Sequence, residues 1–147
     1  MKLKLFVFLS ILVLLPNSAM SRCEYFDLEK SLDKIPYIIH VEVIESDAEG
    51  IIYRCAKDKA GKCEHSFTAK VKKVLKGDTV TPLLYFTYDY SVTMPSIKTF
   101  HPGEEVVLMI NKINEHGHAT LHGRFCGRWG TAVDKITDIQ KVLGKDN

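Results

Sequence analysis

The sequence lacks a long apolar stretch, a large net charge of either sign and the common catalytic motifs. Its main apolar run, from Leu5 to Leu15, is much shorter than the roughly 20 residues of a membrane-spanning helix, which argues against a membrane anchor. The formal net charge is only +2, and a balanced chain lacks the positive field needed to bind nucleic acid or an anionic membrane. Because Gly-x-Ser-x-Gly, His-Glu-x-x-His, phosphate-loop and dinucleotide motifs are absent, we predict that the protein is not an enzyme.

The N-terminal segment, residues 1–21, contains no acidic residue and has the pattern of a secretory signal peptide. Two lysines precede the apolar run, Pro16 ends it, and Ala19 and Ser21 are the small residues expected before a cleavage site. The mature chain is predicted to begin at Arg22, with cleavage after Ala19 as the second choice. We therefore expect an exported protein, periplasmic or extracellular, with no stable membrane insertion after cleavage.

All four cysteines lie in the predicted mature chain, and an even number in a small exported domain indicates two disulfides. Three pairings are possible; we favour Cys55 with Cys63, across a polar loop, and Cys23 with Cys126. The loop-closure model assigns about 2.6 kcal/mol of stability to the first and about 4.7 kcal/mol to the second. A zinc site built from these thiols is the competing interpretation, but the spacing between Cys55 and Cys63 is poor for zinc.

Alternating apolar residues predict five strands, and apolar residues at helical spacing predict a helix at each end of the mature chain. The predicted strands are residues 37–44, 65–75, 83–90, 105–110 and 118–126, with a further short strand at 51–54 in the long insertion. The first helix is predicted at 27–34, and the second carries Ile136, Ile139 and Leu143 between a Thr131–Asp134 capping box and a left-handed Gly144. This order predicts a mainly β fold: a five-stranded Greek-key barrel of the OB type with a short N-terminal helix and a C-terminal helix.

The segment from Phe67 to Gly77, FTAKVKKVLKG, resembles the second-strand signature of netrin-like, or TIMP-like, domains, in which an aromatic-led strand ends in Lys-Gly. The early Cys23, the Phe100-x-x-Gly-Glu approach to an apolar strand and the late Cys126 occur in similar order in that superfamily. The resemblance covers about residues 23–143. It implies that residues 22–147 are a single netrin-like OB-fold domain.

In that family, inhibition of metalloproteinases uses a mature N-terminal cysteine whose free amine and carbonyl chelate the zinc of the enzyme. The resemblance implies this role for Cys23, but Arg22 precedes it and Tyr25 stands where the family has the second cysteine of Cys-x-Cys. We therefore predict a non-enzymatic module that binds another exported or envelope protein, with a metalloprotease as one candidate partner. Inhibition after trimming to Cys23 is the alternative.

Two aromatic groups are candidates for contact with a partner. Arg124, Arg128 and Trp129 would form a cation–π surface, although packing of Trp129 against the end of the barrel is the favoured interpretation. Aromatic residues at 86, 88 and 90 share one face of the third predicted strand. OB barrels can bind nucleic acid with such aromatics, but export and neutrality oppose this, so we predict that they lie in the core or cover the sheet.

Histidines on the fifth predicted strand suggest a second alternative, a His-based metal-binding protein. His118 and His122 share one face of that strand, and His40 or His65 from neighbouring strands would complete a copper or zinc site. Positions four apart on a strand are about 13 Å apart, too far to bind one ion together. We therefore favour an ordinary polar role for these histidines and predict no cofactor.

The predicted mature N-terminus provides a test of the inhibitory alternative. A peptide nitrogen is a poor zinc ligand because its lone pair is delocalised, and Arg22 removes the free amine of Cys23. We expect a chain beginning at Arg22 to inhibit metalloproteases weakly or not at all, whereas a chain beginning at Cys23 gains inhibition if the barrel edge fits the enzyme. N-terminal sequencing and inhibition assays of both forms measure this, and strong inhibition by the Arg22 form would contradict it.

Overall fold

The computed structural model describes residues 28–78, 80–91, 99–122, 130–131 and 133–144. The strands in these residues are β1 Tyr37–Ser46, β2 Lys62–Lys76, β3 Leu83–Ser91, β4 Glu105–Ile113, β5 His118–Leu121 and β6 Gly130–Thr131. The helices are α1 Leu28–Leu32, α2 Ile51–Ala56 and α3 Ile136–Val142, with a 3-10 turn at Val133–Lys135 before α3. Within the described residues, no helix combines the length and the apolar character that a membrane span requires.

Five of the strands close into a barrel. The strand order is β1-β2-β3-β5-β4, and the additional antiparallel pairing of β1 with β4, from Tyr37 opposite Ile110 to Glu42 opposite Glu105, joins the two ends. β3 and β5 are parallel, with Tyr85 opposite His118, and the other neighbouring strands are antiparallel. This topology confirms the predicted mainly β, five-stranded OB-type barrel with a C-terminal helix.

Aromatic rings fill the interior of the barrel. Phe67 of β2 stacks on Phe86 of β3, with ring centroids 4.5 Å apart and planes within 6° of parallel. Phe100, from the connection between β3 and β4, packs on Phe67 at 4.6 Å, and Tyr88 meets both rings edge-on. Phe86 and Tyr88 therefore face the core, as predicted. The buried members of this cluster are Ile39, Val41, Val43, Phe67, Ala69, Leu84, Phe86, Phe100, Val106, Leu108, Ile110 and Ala119.

A second apolar cluster lies on the outside of the barrel, where the helices cover the strands. β1, β2 and β4 contribute outward-facing side chains, and the segments of α1 and α3 contribute the rest. The buried members are Leu32, Ile35, Ile38, Leu75, Val107, Met109 and Ile139. Because β4 faces one cluster on each side, its residues are buried without interruption from Val106 to Ile110. The protein therefore has two apolar cores: a barrel core enclosed by the strands, and a helix-covered core between the outer side of the strands and the helices.

The insertion between β1 and β2 differs from its predicted structure. The predicted strand at residues 51–54 is wrong, because this segment forms α2. Gly50, with a φ of 68°, turns the chain into the helix, and Ile51 and Cys55 occupy buried positions one helical turn apart. Burial of one helical face thus outweighs the strand preference of consecutive β-branched and aromatic residues.

The C-terminal helix is confirmed, and its α-helical part begins at Ile136, after the predicted Thr131–Asp134 capping box. α3 is preceded by the 3-10 turn, its N-cap is Lys135, and no side chain caps it. Gly144 has a φ of 65° and ends the helix in the predicted left-handed conformation.

Several predictions fall on residues that the structure does not describe. These are the signal peptide at 1–21, the start of the N-terminal helix at Asp27, the second disulfide and the cation–π surface. Within the predicted 27–34 helix, residues 28–32 form α1. β5 ends at Leu121, and residues 123–126 of the predicted fifth strand lie outside the described residues.

Gly117, in the turn between β4 and β5, tests this packing. Its φ is 80°, and a Cβ there would lie 2.7 Å from the carbonyl oxygen of Leu83. Gly103 is a matched control, because its φ is 83° and nothing lies within 4 Å of the equivalent Cβ. We expect Gly103→Ala to cost about 1 kcal/mol in free energy of unfolding, from backbone strain alone, and Gly117→Ala to cost clearly more. Urea unfolding measures both, and equal losses would contradict the close approach of the turn to β3.

Candidate functional site

The residues between β1 and β2, 47–61, form an insertion that stands at one end of the barrel. Its helix, α2, is joined to the start of β2 by a disulfide between Cys55 and Cys63, which confirms the first of the two predicted pairings. Ile51 and Cys55 are buried beneath the helix. The covalent bond and the buried face together fix α2 against the barrel.

Arg54 ties the helix back to the end of β1. Its guanidinium donates hydrogen bonds to the carbonyl oxygens of Asp47 and Glu49, the latter at 2.7 Å, and it forms an ion pair with the Asp47 carboxylate at 3.6 Å. These contacts use donors from one side chain to hold the turn that precedes the helix. The insertion is therefore held at both of its ends.

The opposite side of α2 presents two large apolar side chains to solvent. Tyr53 is 79% exposed and Ile52 is 59% exposed. Neither residue is needed to fill the core, because Ile51 and Cys55 supply the buried face. Exposed aromatic and aliphatic side chains on a fixed backbone are typical of protein contact surfaces.

His65 lies at the base of the insertion and is the one buried polar side chain in the described residues, with no exposed surface. Its Nδ1 donates a hydrogen bond to the Asp47 carboxylate, and its Nε2 accepts a hydrogen bond of 3.5 Å from the Phe100 backbone. The Tyr88 ring meets the imidazole edge-on at 5.0 Å. Both ring nitrogens are therefore engaged, which defines a neutral imidazole protonated on Nδ1.

Burial determines the electrostatics of this pair. Desolvation lowers the pKa of His65, and the hydrogen bond and charge of Asp47 offset only part of that effect. Burial likewise raises the pKa of Tyr88. A carboxylate that orients a histidine resembles part of a catalytic triad, but the buried imidazole leaves no atom for a substrate to reach. Its geometry favours a structural role for His65, which joins the insertion to the barrel.

The other histidines named in the sequence analysis each contact different neighbours. His118 begins β5 and its ring lies 5.5 Å from the ring of Tyr85, whereas the backbone N–H of His122 donates to the Met109 carbonyl. His40 contacts the Glu105 carboxylate at 2.8 Å. Across the part of the chain that the structure describes, no cluster of three or more His, Cys, Asp or Glu side chains is close enough to hold a metal ion. A metal site that includes His118 and His122 stays the alternative to the ordinary polar role predicted for these histidines.

The other predicted site residues, Cys23, Arg124, Arg128 and Trp129, and the disulfide partner Cys126, lie outside the described residues. Sequence reasoning missed Ile52 and Tyr53, because the segment was predicted as a strand. The spacing of Ile51 and Cys55, four residues apart after Gly50, was the available indication of a helix.

No family model and no curated protein matches this chain.

The buried His65 predicts a specific dependence of stability on pH. An unfolded histidine binds a proton as the pH falls through about 6.5, whereas His65 in the folded state has a lowered pKa. Its stabilising contribution is therefore fully present above that pH. As the pH falls further, this contribution is lost, by up to about 1.4 kcal/mol per pH unit, until the pH reaches the pKa of His65 in the folded state.

We expect His65→Asn, which can retain a donor to Asp47, to lose less stability than the wild type between pH 7.5 and pH 5. Urea unfolding at each pH measures this difference. His116→Asn is the control, because His116 is an exposed histidine and its replacement should leave the wild-type dependence unchanged. Identical dependence in the wild type and His65→Asn would contradict the role of burial.

Proposed function

We propose that the chain is an exported, disulfide-stabilised, non-enzymatic module of netrin-like type that binds another protein through the exposed side of α2. The observation that carries the proposal is the exposure of Ile52 and Tyr53 on a helix that is fixed from beneath. Export and the netrin-like assignment rest on the N-terminal pattern and on the segment from Phe67 to Gly77.

The fixed backbone of α2 makes this surface suitable for binding. A partner that contacts a mobile loop must lose the entropy of ordering it, whereas a rigid segment avoids most of that cost. Tyrosine contributes a large contact area with few rotatable bonds and is enriched among residues that dominate binding energy. In OB folds, the connection between the first two strands is one of the recurrent ligand-binding loops.

The charges around α2 indicate the chemistry of the partner. Lys57, Lys59 and Lys62 are exposed, and none of them forms an ion pair among the described residues. The Asp58 side chain accepts hydrogen bonds from the backbone N–H groups of Ala60 and Lys62. We infer a partner with an apolar pocket for Tyr53 and an acidic rim, in the same exported compartment.

The buried His65 supports the non-enzymatic part of the proposal, because the Asp47–His65 pair offers no atom to a substrate. The absence of common catalytic motifs from the sequence is a second, independent support. The proposal therefore assigns the insertion to recognition and not to chemistry.

Site-specific crosslinking tests the contact surface. A photoreactive amino acid at position 53 should give a discrete adduct in the native compartment. The same probe at exposed position 116, in the turn between β4 and β5, should not. The partner identified by mass spectrometry is then purified, and its dissociation constant is measured by calorimetry. We expect Tyr53→Ser to weaken binding by at least about tenfold, because truncation of an aromatic hot-spot residue costs about 2 kcal/mol or more.

Val142→Ser is the matched control, because Val142 is an exposed apolar residue on α3, and its replacement should leave the affinity unchanged. Circular dichroism confirms that both variants fold. Failure to obtain an adduct at position 53, or equal affinities of the wild type and the Ile52→Ser/Tyr53→Ser double variant, would contradict the proposal. A metalloprotease as the captured partner would support the inhibitory alternative at the level of partner class.

A further inference from the structure

A cavity of about 320 Å³ lies on the outer face of the barrel, across the neighbouring strands β3, β5 and β4. Its lining residues are Tyr85, Thr87, Lys112, Asn114, His118, Ala119 and Thr120. Tyr85 is opposite His118 in the parallel β3–β5 pair, and Lys112 is opposite Thr120 in the β4–β5 pair. The volume is at the lower end of the range of about 300–1,000 Å³ for small-ligand sites. We propose that this cavity binds an acidic saccharide.

The charge of the cavity favours an anionic ligand. Lys112 is exposed, lines the cavity and forms no ion pair among the described residues. None of the described lining residues is Asp or Glu. A carboxylate or sulfate group would therefore meet an ammonium group with no competing side-chain anion at the site.

An aromatic surface and uncharged polar groups complete the cavity. Tyr85 is 39% exposed, and its ring centroid lies 5.5 Å from that of His118. This ring offers an apolar surface to the C–H face of a sugar, while the hydroxyl groups of Thr87 and Thr120 can exchange hydrogen bonds with sugar hydroxyls. The combination of one aromatic ring, one cation and several neutral polar groups matches an acidic sugar.

The turn beside the cavity is held in place before any ligand binds. Asn114 Oδ1 accepts hydrogen bonds from the backbone N–H groups of His116 and His118, at 3.0 and 2.9 Å. This orientation leaves both hydrogens of Asn114 Nδ2 for a ligand, since no described group accepts them. Gly117 packs against β3, where its carbonyl accepts a hydrogen bond of 2.9 Å from the Tyr85 N–H. An amide side chain and a backbone that are already held in place reduce the entropy lost on binding.

A single-stranded nucleic acid is the other polymer that an OB barrel can bind, but the cavity is less suited to it. Such binding uses a continuous basic groove and several stacking aromatics. The residues that line this cavity include one lysine and one tyrosine. Phe86, next to Tyr85 on β3, faces the barrel core and adds no second aromatic ring to the cavity. The site is also separate from the exposed side of α2, so this proposal does not depend on the proposed protein contact.

Nuclear magnetic resonance titration of the whole mature protein with glucuronate and with glucose tests the proposal. We expect shifts confined to the residues around the cavity, with a millimolar dissociation constant for glucuronate and weaker binding of glucose. Lys112→Met should weaken glucuronate binding by at least about tenfold without affecting glucose, and Lys112→Arg should retain the preference. Tyr85→Leu should weaken both sugars, whereas Tyr53→Ser should weaken neither.

The backbone spectrum of each variant shows whether it folds, so a lost interaction can be separated from a lost structure. Inorganic sulfate and acetate serve as ions without a sugar ring, and a short oligothymidylate serves as the nucleic acid. Equal binding of acetate and glucuronate, tighter binding of the oligonucleotide at the same residues, or no shift with any sugar would each overturn the proposal.

Discussion

The hydrogen bond between the buried imidazole of His65 and the carboxylate of Asp47 connects the barrel to the insertion between β1 and β2. His65 belongs to β2 and packs against Tyr88, whereas Asp47 is the first residue after β1. The same carboxylate oxygen accepts the Ser66 N–H at 3.0 Å, and the other oxygen faces Arg54. One carboxylate therefore joins the end of β1, the start of β2 and the helix between them. Loss of this group would leave a buried histidine without its partner, which is costly.

The two apolar clusters explain why the barrel tolerates such an insertion. The barrel core is closed by Phe100 near His65, and the Ser46 hydroxyl donates to the Phe100 carbonyl at 2.6 Å. The helix-covered core lies on other strand faces and is completed by α1 and α3. Neither cluster includes the outward side chains of α2, Ile52 and Tyr53, which are exposed. This separation supports our proposals that the exposed side of α2 and the outer cavity bind other molecules.

The strands were predictable because one barrel face is buried and the other meets solvent or a helix, so that apolar residues alternate along β1, β2 and β3. The helix α2 was not, because Ile51, Ile52 and Tyr53 are consecutive residues with strand preference. The disulfide and the buried spacing of Ile51 and Cys55 decide their conformation. Tertiary contacts override local preference here.

The candidate sites were harder to predict than the fold. Burial of His65 depends on the register of β2 against β3, where it lies opposite Tyr88, and no local pattern reveals that neighbour. The cavity around Tyr85 depends on the parallel pairing of β3 with β5, which joins residues distant in sequence. The sequence pattern correctly indicated that Phe86 is in the core. It did not show that Tyr85, the adjacent residue on the opposite face, is the accessible aromatic ring.

The central physical claim is that α2 is a preformed surface and not a mobile loop. Backbone order parameters from nitrogen-15 relaxation of the free, oxidised protein test it most directly. We predict an order parameter of about 0.85 for the Tyr53 amide, equal to that of the barrel strands. We expect this value to fall when both Cys55 and Cys63 are replaced by serine. A value below about 0.6 for Tyr53 in the oxidised wild type would show a flexible segment and would contradict the account.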